Sequence, residues 1–344
     1  MNTIYLHIGW PKTGTSFIQH ILYKKSNLSN LRSMGILPLG GFFERAAPKE
    51  IAQIQSNSSA SIRKCFDDQC KSLQWKNESI VISQEAYITL RMDEILKLRE
   101  AFHDYTVKII LYLRSQDEIV EASWKQWHIH RFTFDEWVDQ YISAPYSYSD
   151  RIADWVSVFG FDSIKIRNYN ALPKGISSLA SDFFNLFGID HKTLIKPENR
   201  VNTRLDRESL EIIHLSRELL SSAHDNSLND LFGKFQNKLS DTVGYQLLNE
   251  AQRLTIWNLH EMENIKLNKL YFDKDGPLFD FSKNVNEEAY QGLNKDNAIK
   301  RLVSIILEQE VKITSLRGEK KSLEDSIRRT LISRIKNRLL RSKI

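Results

Sequence analysis

The chain has 344 residues, 41% hydrophobic and 26% charged, proportions that exclude a chain disordered throughout. Its net charge of +5 is concentrated at one end: residues 326–344 carry Arg328, Arg329, Arg334, Lys336, Arg338, Arg341 and Lys343 with no acid, leaving everything before them at −2. A near-neutral body argues against a nucleic-acid-binding enzyme. No apolar run approaches the roughly 18 residues of a membrane-spanning helix. The opening residues Met1–Leu6 lack the basic flank and long apolar core of a secretory signal. Cys65 and Cys70 are too few to staple this fold or to build a structural zinc site, so reduced thiols in a cytosolic protein are expected.

In chain order, residues 3–9 read as a short strand, Trp10–Gly14 as a turn, and Thr15 to about Lys25 as a helix with Phe17, Ile18, Ile21 and Leu22 on one face. Residues 26–77 are mixed. Leu37-Pro38-Leu39-Gly40-Gly41 reads as a loop, and Ser56–Ser59 interrupts the periodicity. Ile80–Ser83 and Val107–Leu113 are β-branched and apolar without alternation, the signature of strands buried on both faces. Helical spacing covers Leu90–Phe102 and Gln116–His128. Thr133 with Glu136 forms a capping box that starts a helix through Tyr141. Helices are expected over Ser149–Phe159, ended by Gly160, and Ile176–Phe187, ended by Gly188, with a strand at Ser163–Arg167 between them. Residues 205–270 are mostly helical in pattern, and Asp275-Gly276-Pro277 ends them. A long helical pattern returns from Ala298. Alternating strands and helices predict an α/β fold with a central parallel sheet covered on both faces.

The chemistry points to the first loop. Backbone N–H groups at a helix N-terminus favour an anion. Gly14 allows close backbone approach, Lys12 adds a mobile charge, and Thr15 and Ser16 add hydroxyl donors. The nucleoside-triphosphatase loop places Lys after its second Gly. Here Lys12 precedes Gly14, and Thr15 follows it.

The run His7-Ile8-Gly9-Trp10-Pro11-Lys12-Thr13-Gly14-Thr15-Ser16 resembles the 5′-phosphosulfate loop of sulfotransferases that use 3′-phosphoadenosine 5′-phosphosulfate (PAPS), above all bacterial glycan-associated members of that family. Ile80–Glu85 resembles the family's strand ending in a serine and an acid. Leu111–Glu118 resembles its 3′-phosphate strand and the start of the following helix. Tyr148–Asp150, Trp155, Phe159-Gly160, Ile166–Tyr169, Asn264 and Leu278–Asp280 extend the likeness over residues 3–285.

The resemblance implies a P-loop-like three-layer fold. It implies a cofactor site of Trp10, Pro11, Lys12, Thr13, Gly14, Thr15 and Ser16 for the 5′ side and Arg114 with Ser123 for the 3′-phosphate. Lys12 would meet the charge on the leaving phosphate, and Glu85 would be the base for an acceptor hydroxyl. No metal is required, and the product nucleotide is adenosine 3′,5′-bisphosphate (PAP). Family members most often place the serine eight residues after the arginine. Here that position is Ala122, and Ser123 is one further, so either the helix starts differently or Ser123 does not reach.

Trp10 either stacks on adenosine or packs the loop. Trp124, Trp127, Trp137 and Trp155 are expected in the core, as is His7. His128 and His130, two apart, do not suggest a metal site. Asn199–Arg204 is a candidate loop over the nucleotide. Residues 1–297 are expected to form the catalytic domain and 298–344 a helical, basic tail. That tail has three readings: a solvated helix, a short coiled coil between protomers over 306–327 interrupted by Gln309 and Lys320, or a basic amphipathic helix over 327–343 on an anionic membrane at the cytoplasmic face. The function implied is sulfuryl transfer from PAPS to a hydroxylated glycan or glycoconjugate. A small-molecule kinase and a non-catalytic interaction module of the same fold are the alternatives.

Overall fold

The computed structural model describes residues 2–43, 46–129, 131–173, 176–194, 207–216, 227–228, 231–232, 247–280 and 295–341. The chain divides into two compact units. One joins Met1–Thr203 with Gly244–Tyr290, and the other joins Arg204–Val243 with Gln291–Ile344.

The first unit is built on five parallel strands, β1 (Thr3–His7), β2 (Ile36–Leu39), β3 (Ser79–Ser83), β4 (Thr106–Leu113) and β5 (Ile164–Asn168), in the order β2-β3-β1-β4-β5. Its helices are α1 (Thr15–Tyr23), α2 (Lys25–Ser33), α3 (Ala47–Ser56), α4 (Ser59–Ser72), α5 (Met92–Ala101), α6 (Gln116–Ser123), α7 (Phe134–Ser143), α8 (Tyr148–Phe159) and α9 (Ile176–Asn185). Residues 207–215 form α10 (Arg207–Leu215) of the second unit, Glu250–Phe272 forms α11 of the first, and Lys295–Arg341 forms α12 of the second.

Both faces of the sheet are covered, which explains the unbroken apolar runs of β3 and β4. Successive residues of a strand point to opposite faces. Val81, Ile110 and Tyr112 enter a core with Phe17, Ile18 and Ile21 of α1 and Phe183 and Phe184 of α9. Ile80, Ile82, Ile109, Leu111 and Leu113 enter the other core, with residues of α4, α5 and α8. The three-layer α/β architecture expected from the sequence is therefore the one observed.

The differences from the sequence reading are local. Ile36–Leu39, which overlaps the expected loop Leu37–Gly41, is an edge strand paired with β3. Pro38 fits there because an edge strand has one side without ladder partners. Three helices occupy the stretch read as mixed. Their buried stripes are narrow, only Asn27 and Leu31 in α2 and Ile62, Phe66 and Cys70 in α4. The helix expected over Gln116–His128 changes character at its end. Residues Trp124–His128 form a π turn, closed by the Ile129 N–H donating to the Trp124 carbonyl at 2.9 Å. The Thr133–Glu136 capping box forms as expected. α9 ends at Asn185, two residues short of the expected Phe187.

α11 is seated on α6, α7 and α8 by polar contacts. Arg253, 3% exposed, donates to Asp117 and, at 3.0 Å, to Glu121. Glu121 also accepts from the Leu247 and Leu248 N–H groups at 2.9 and 3.0 Å. Gln116 and Asn264 exchange two amide hydrogen bonds of 3.0 and 3.2 Å. Tyr141 and His260 share a 2.7 Å hydrogen bond, and Glu263 accepts from Ser147 and from the Ser149 N–H.

In the second unit α10 packs against α12, with Leu210, Ile212, Ile213 and Ile305 buried. α12 is one continuous helix of 47 residues, starting three residues before the expected Ala298. No described helix is long and apolar enough to cross a membrane.

Candidate active site

The site lies at the carboxyl ends of β3, β1 and β4, where an open parallel sheet forms its crevice. The chain leaves β1 toward β2 on one side and β4 toward β5 on the other, so the loops after β1 and β4 diverge there. The loop after β1 carries Trp10–Gly14, the turn after β3 carries Glu85, and the end of β4 carries Arg114.

The loop is tight because three residues adopt positive φ: Gly9 at 46°, Lys12 at 68° and Gly14 at 83°. For Lys12 this left-handed conformation is strained, on the order of 1 kcal/mol. The two glycines are required by space as well. A Cβ on Gly9 would stand 2.8 Å from Thr15 Oγ1 and 3.4 Å from Glu85 Cβ, and one on Gly14 would stand 2.4 Å from Leu179 Cδ2. Gly9 is thus where the loop, α1 and Glu85 come together. The Thr13 hydroxyl donates to the Trp10 carbonyl at 2.6 Å and closes the turn.

The loop leaves polar groups free. Gly14 is the N-cap of α1 and supplies no side-chain cap. Thr15 Oγ1 is buried with no hydrogen-bond partner. A buried unsatisfied hydroxyl is costly, and an uncapped helix N-terminus carries unsatisfied donors and positive charge. Together they suit an anion. Ser16 is exposed one residue further, and Pro11 and Lys12 are half-buried. The phosphate of a nucleotide therefore fits the residues present: the start of α1 has no side-chain cap and the Thr15 hydroxyl has no partner.

Three charged groups meet here. Arg114 donates through Nη1 to the Lys12 carbonyl at 2.9 Å and through Nε to Glu118 at 2.6 Å, and its guanidinium lies 5.5 Å from the Tyr169 ring centroid. Lys12 Nζ lies 4.4 Å from the centroid of the Trp127 ring. Burial pushes the Lys12 ammonium down to about 8; the Glu85 carboxylate opposes that shift and the Arg114 guanidinium adds to it. Burial raises Glu85 above the ordinary carboxylate range, opposed by Lys12. Burial thus shifts both Lys12 and Glu85 toward their neutral forms, each opposed by the charge of the other.

The other expected residues take definite places. Trp10 is buried, edge-on to Tyr148 at 4.4 Å and tilted against Tyr146 at 5.3 Å, so its ring packs the loop. Tyr148 donates to the Arg114 carbonyl. Ser123 closes α6, buried, and its hydroxyl donates to the Val120 carbonyl at 3.0 Å. The helix starts at Gln116 and the π turn comes only after Ser123, so the offset from Arg114 read in the sequence is not absorbed by a change of helix register between them. His7 is a core histidine. It shares a 2.8 Å hydrogen bond with Ser83, and burial pushes its pKa down to about 3. Asn199–Arg204 and His130 lie outside the described residues. Cys65 and Cys70 are free thiols, and among the described residues no cluster of metal-ligating side chains occurs.

Sequence reasoning missed the place of Trp127, read as core but packed on Lys12; of Asp117 and Glu118, the two acids that the sequence offers Arg114, Glu118 is the carboxylate hydrogen-bonded to it. Glu118 four residues after Arg114 was a readable signal. Trp127 had none, since its position depends on the π turn.

No family model matches the chain. An uncharacterised protein of Archaeoglobus fulgidus is 27% identical over 149 residues, which are 42% of this chain and 40% of that protein. The match thus spans less than half the length of that relative. Three solved structures are similar to the chain. The sulfotransferase from Alicyclobacillus acidocaldarius has a TM-score of 0.36 and 14% identity, over 65% of this chain and 95% of that one. A mouse sulfotransferase complexed with PAP has a TM-score of 0.41 and 14% identity, over 79% and 88%. The sulfotransferase domain from the curacin biosynthetic pathway has a TM-score of 0.33 and 12% identity, over 75% and 96%.

Proposed function

We propose that the chain is a sulfotransferase that moves a sulfuryl group from PAPS to an acceptor hydroxyl. The observation that carries this reading is the loop after β1, where a buried hydroxyl without a partner and an uncapped helix N-terminus lie beside Lys12, Glu85 and Arg114. PAPS supplies an activated sulfuryl group on a phosphate.

The Thr13–Ser16 backbone and the Thr15 and Ser16 hydroxyls hold the 5′-phosphate. Lys12, already desolvated, presents its ammonium to the charge that develops on the leaving oxygen. Glu85 takes the proton of the attacking hydroxyl, and its raised pKa makes it a better base than an exposed carboxylate. Arg114 holds the 3′-phosphate, and Ser123 joins it only if its hydroxyl leaves Val120. Trp10 and Pro11 shape the loop that faces the nucleotide. A planar guanidinium suits a phosphate, and Arg114 already anchors the Lys12 carbonyl, which links the two phosphate sites mechanically.

The acceptor class proposed is a carbohydrate or glycoconjugate, supported by the resemblance of the loop to glycan-associated relatives. Residues 1–297 would form the catalytic part and 298–344 a tail for self-association or membrane contact, in a cytoplasmic setting that suits two free thiols.

Calorimetric titration with PAP, AMP and Mg-ATP on wild type and Arg114→Ala tests the nucleotide assignment. PAP should bind more tightly than AMP, and the variant should lose the difference. Equal binding of PAP and AMP would replace this reading with the non-catalytic module, and preference for Mg-ATP with the kinase. Sulfuryl transfer at the wild-type rate in both Lys12→Ala and Glu85→Gln would end the catalytic assignment.

A further inference from the structure

The long helix α12 carries an apolar seam that its own unit leaves open. Ile306, Ile313, Leu316 and Leu323 are between 39% and 63% exposed. They follow the a and d positions of a heptad in which Ile306, Ile313 and Lys320 are a, and Gln309, Leu316 and Leu323 are d. In sequence the same spacing runs on to Leu302 and Ile327. A long helix in water draws its stability from packing such a face rather than from intrinsic propensity.

We infer that residues 306–323 of α12 pair with the same segment of a second copy of this chain, antiparallel, about a two-fold axis between Thr314 and Ser315. The charges and the two polar seam residues select this arrangement.

In the antiparallel pair each a residue faces a d residue. Ile313 faces Leu316 of the partner subunit, and Ile306 faces Leu323 of the partner subunit. Lys320 faces Gln309 of the partner subunit, so the two residues that interrupt the seam meet each other and the ammonium can donate to the amide carbonyl. The flanking positions then match in sign. Glu310 meets Arg317 of the partner subunit, and Lys312 meets Glu319 of the partner subunit. Symmetry makes each of these contacts twice, as an isologous interface requires.

The alternatives are worse on the same residues. In a parallel pair Lys312 would face the partner's Arg317 and Glu319 the partner's Glu324, both repulsive. Sliding the antiparallel pair one heptad in one direction sets Glu310 against the partner's Glu310 and Lys312 against the partner's Lys312. Sliding it in the other sets Arg317 against the partner's Arg317 and Glu319 against the partner's Glu319. Each slide also places Gln309 or Lys320 against an apolar residue. Among the described residues the ion pair of Lys320 is an exposed one with Glu324, 3.8 Å away, which costs little to exchange.

Sedimentation velocity on the full chain, with charge-reversal variants, tests this. Wild type should be a dimer in the micromolar range. Glu310→Arg alone and Arg317→Glu alone should each weaken dimerisation about tenfold, from two symmetric pairs turned from attraction to repulsion. The double swap Glu310→Arg with Arg317→Glu should restore it. A monomeric wild type overturns the proposal, and a monomer that floats with phosphatidylserine vesicles assigns the helix to a membrane instead. Tighter association of Arg317→Glu also overturns it, because only the parallel arrangement gains from that change. The exposed substitutions leave the fold intact, which circular dichroism of each variant checks.

Discussion

Two polar regions of the same unit are built in opposite ways. At the junction of α6 and α11, Arg253 is matched by Asp117 and Glu121, Glu121 also accepts two backbone N–H groups, and Gln116 and Asn264 satisfy each other. In the loop after β1 the Thr15 hydroxyl has no partner, the start of α1 has no side-chain cap, and Lys12 and Glu85 are both shifted toward their neutral forms by burial. The first region spends its polar groups on the fold. The second keeps them unspent, and unspent buried polarity is what an anionic ligand can use.

The contrast can be broken by experiment. Arg253→Ala takes the guanidinium from the buried Asp117 and Glu121 carboxylates, of which Glu121 keeps Lys125 at 3.5 Å, and should lower stability by about 3–5 kcal/mol, read as a shift in urea midpoint. An unchanged midpoint would mean that the junction is not the fixed region it looks like. Lys12→Ala should do the reverse, cutting turnover about 100- to 1,000-fold while the thermal midpoint holds or rises.

The pH profile sharpens the same point. Lys12 acts protonated and Glu85 deprotonated. The kcat/KM for the donor should therefore fall as pH rises through about 8, and fall again on the acid side above the ordinary carboxylate range. Lys12→Arg should remove the alkaline limb; a limb that stays would assign it to another group. The smallest effect is expected of Thr15→Val. Removing an unpartnered hydroxyl should leave stability unchanged or raise it by up to about 1 kcal/mol, while PAP binding weakens about fivefold. Lost stability would show that the hydroxyl is spent on the fold after all.

Much of this arrangement was legible in the chain. The strand, loop and helix that open it are consecutive, and β3 and β4 announce themselves by apolar runs too short for helices and too continuous for a sheet with one wet face. Lys12, Glu85 and Arg114 could each be picked out because each ends a readable strand. β2 was hidden by Pro38 and the glycines after it, and α2 to α4 by stripes only two or three residues wide. Trp127 over Lys12 depends on an extra residue in the last turn of a helix, which no periodicity reports.

By itself the sequence determined the strand and helix periods, the caps, the glycine-bounded loop and the heptad of α12, because each rests on residues within a turn or two of one another. The tertiary structure alone decided which distant groups share a site or cancel a charge. Arg114 reaches the Lys12 carbonyl from 102 residues away, and Arg253 reaches Asp117 from 136. Such contacts follow from the sheet order and the packing of both its faces, which sum over many weak apolar terms and leave no local mark on the residues they join.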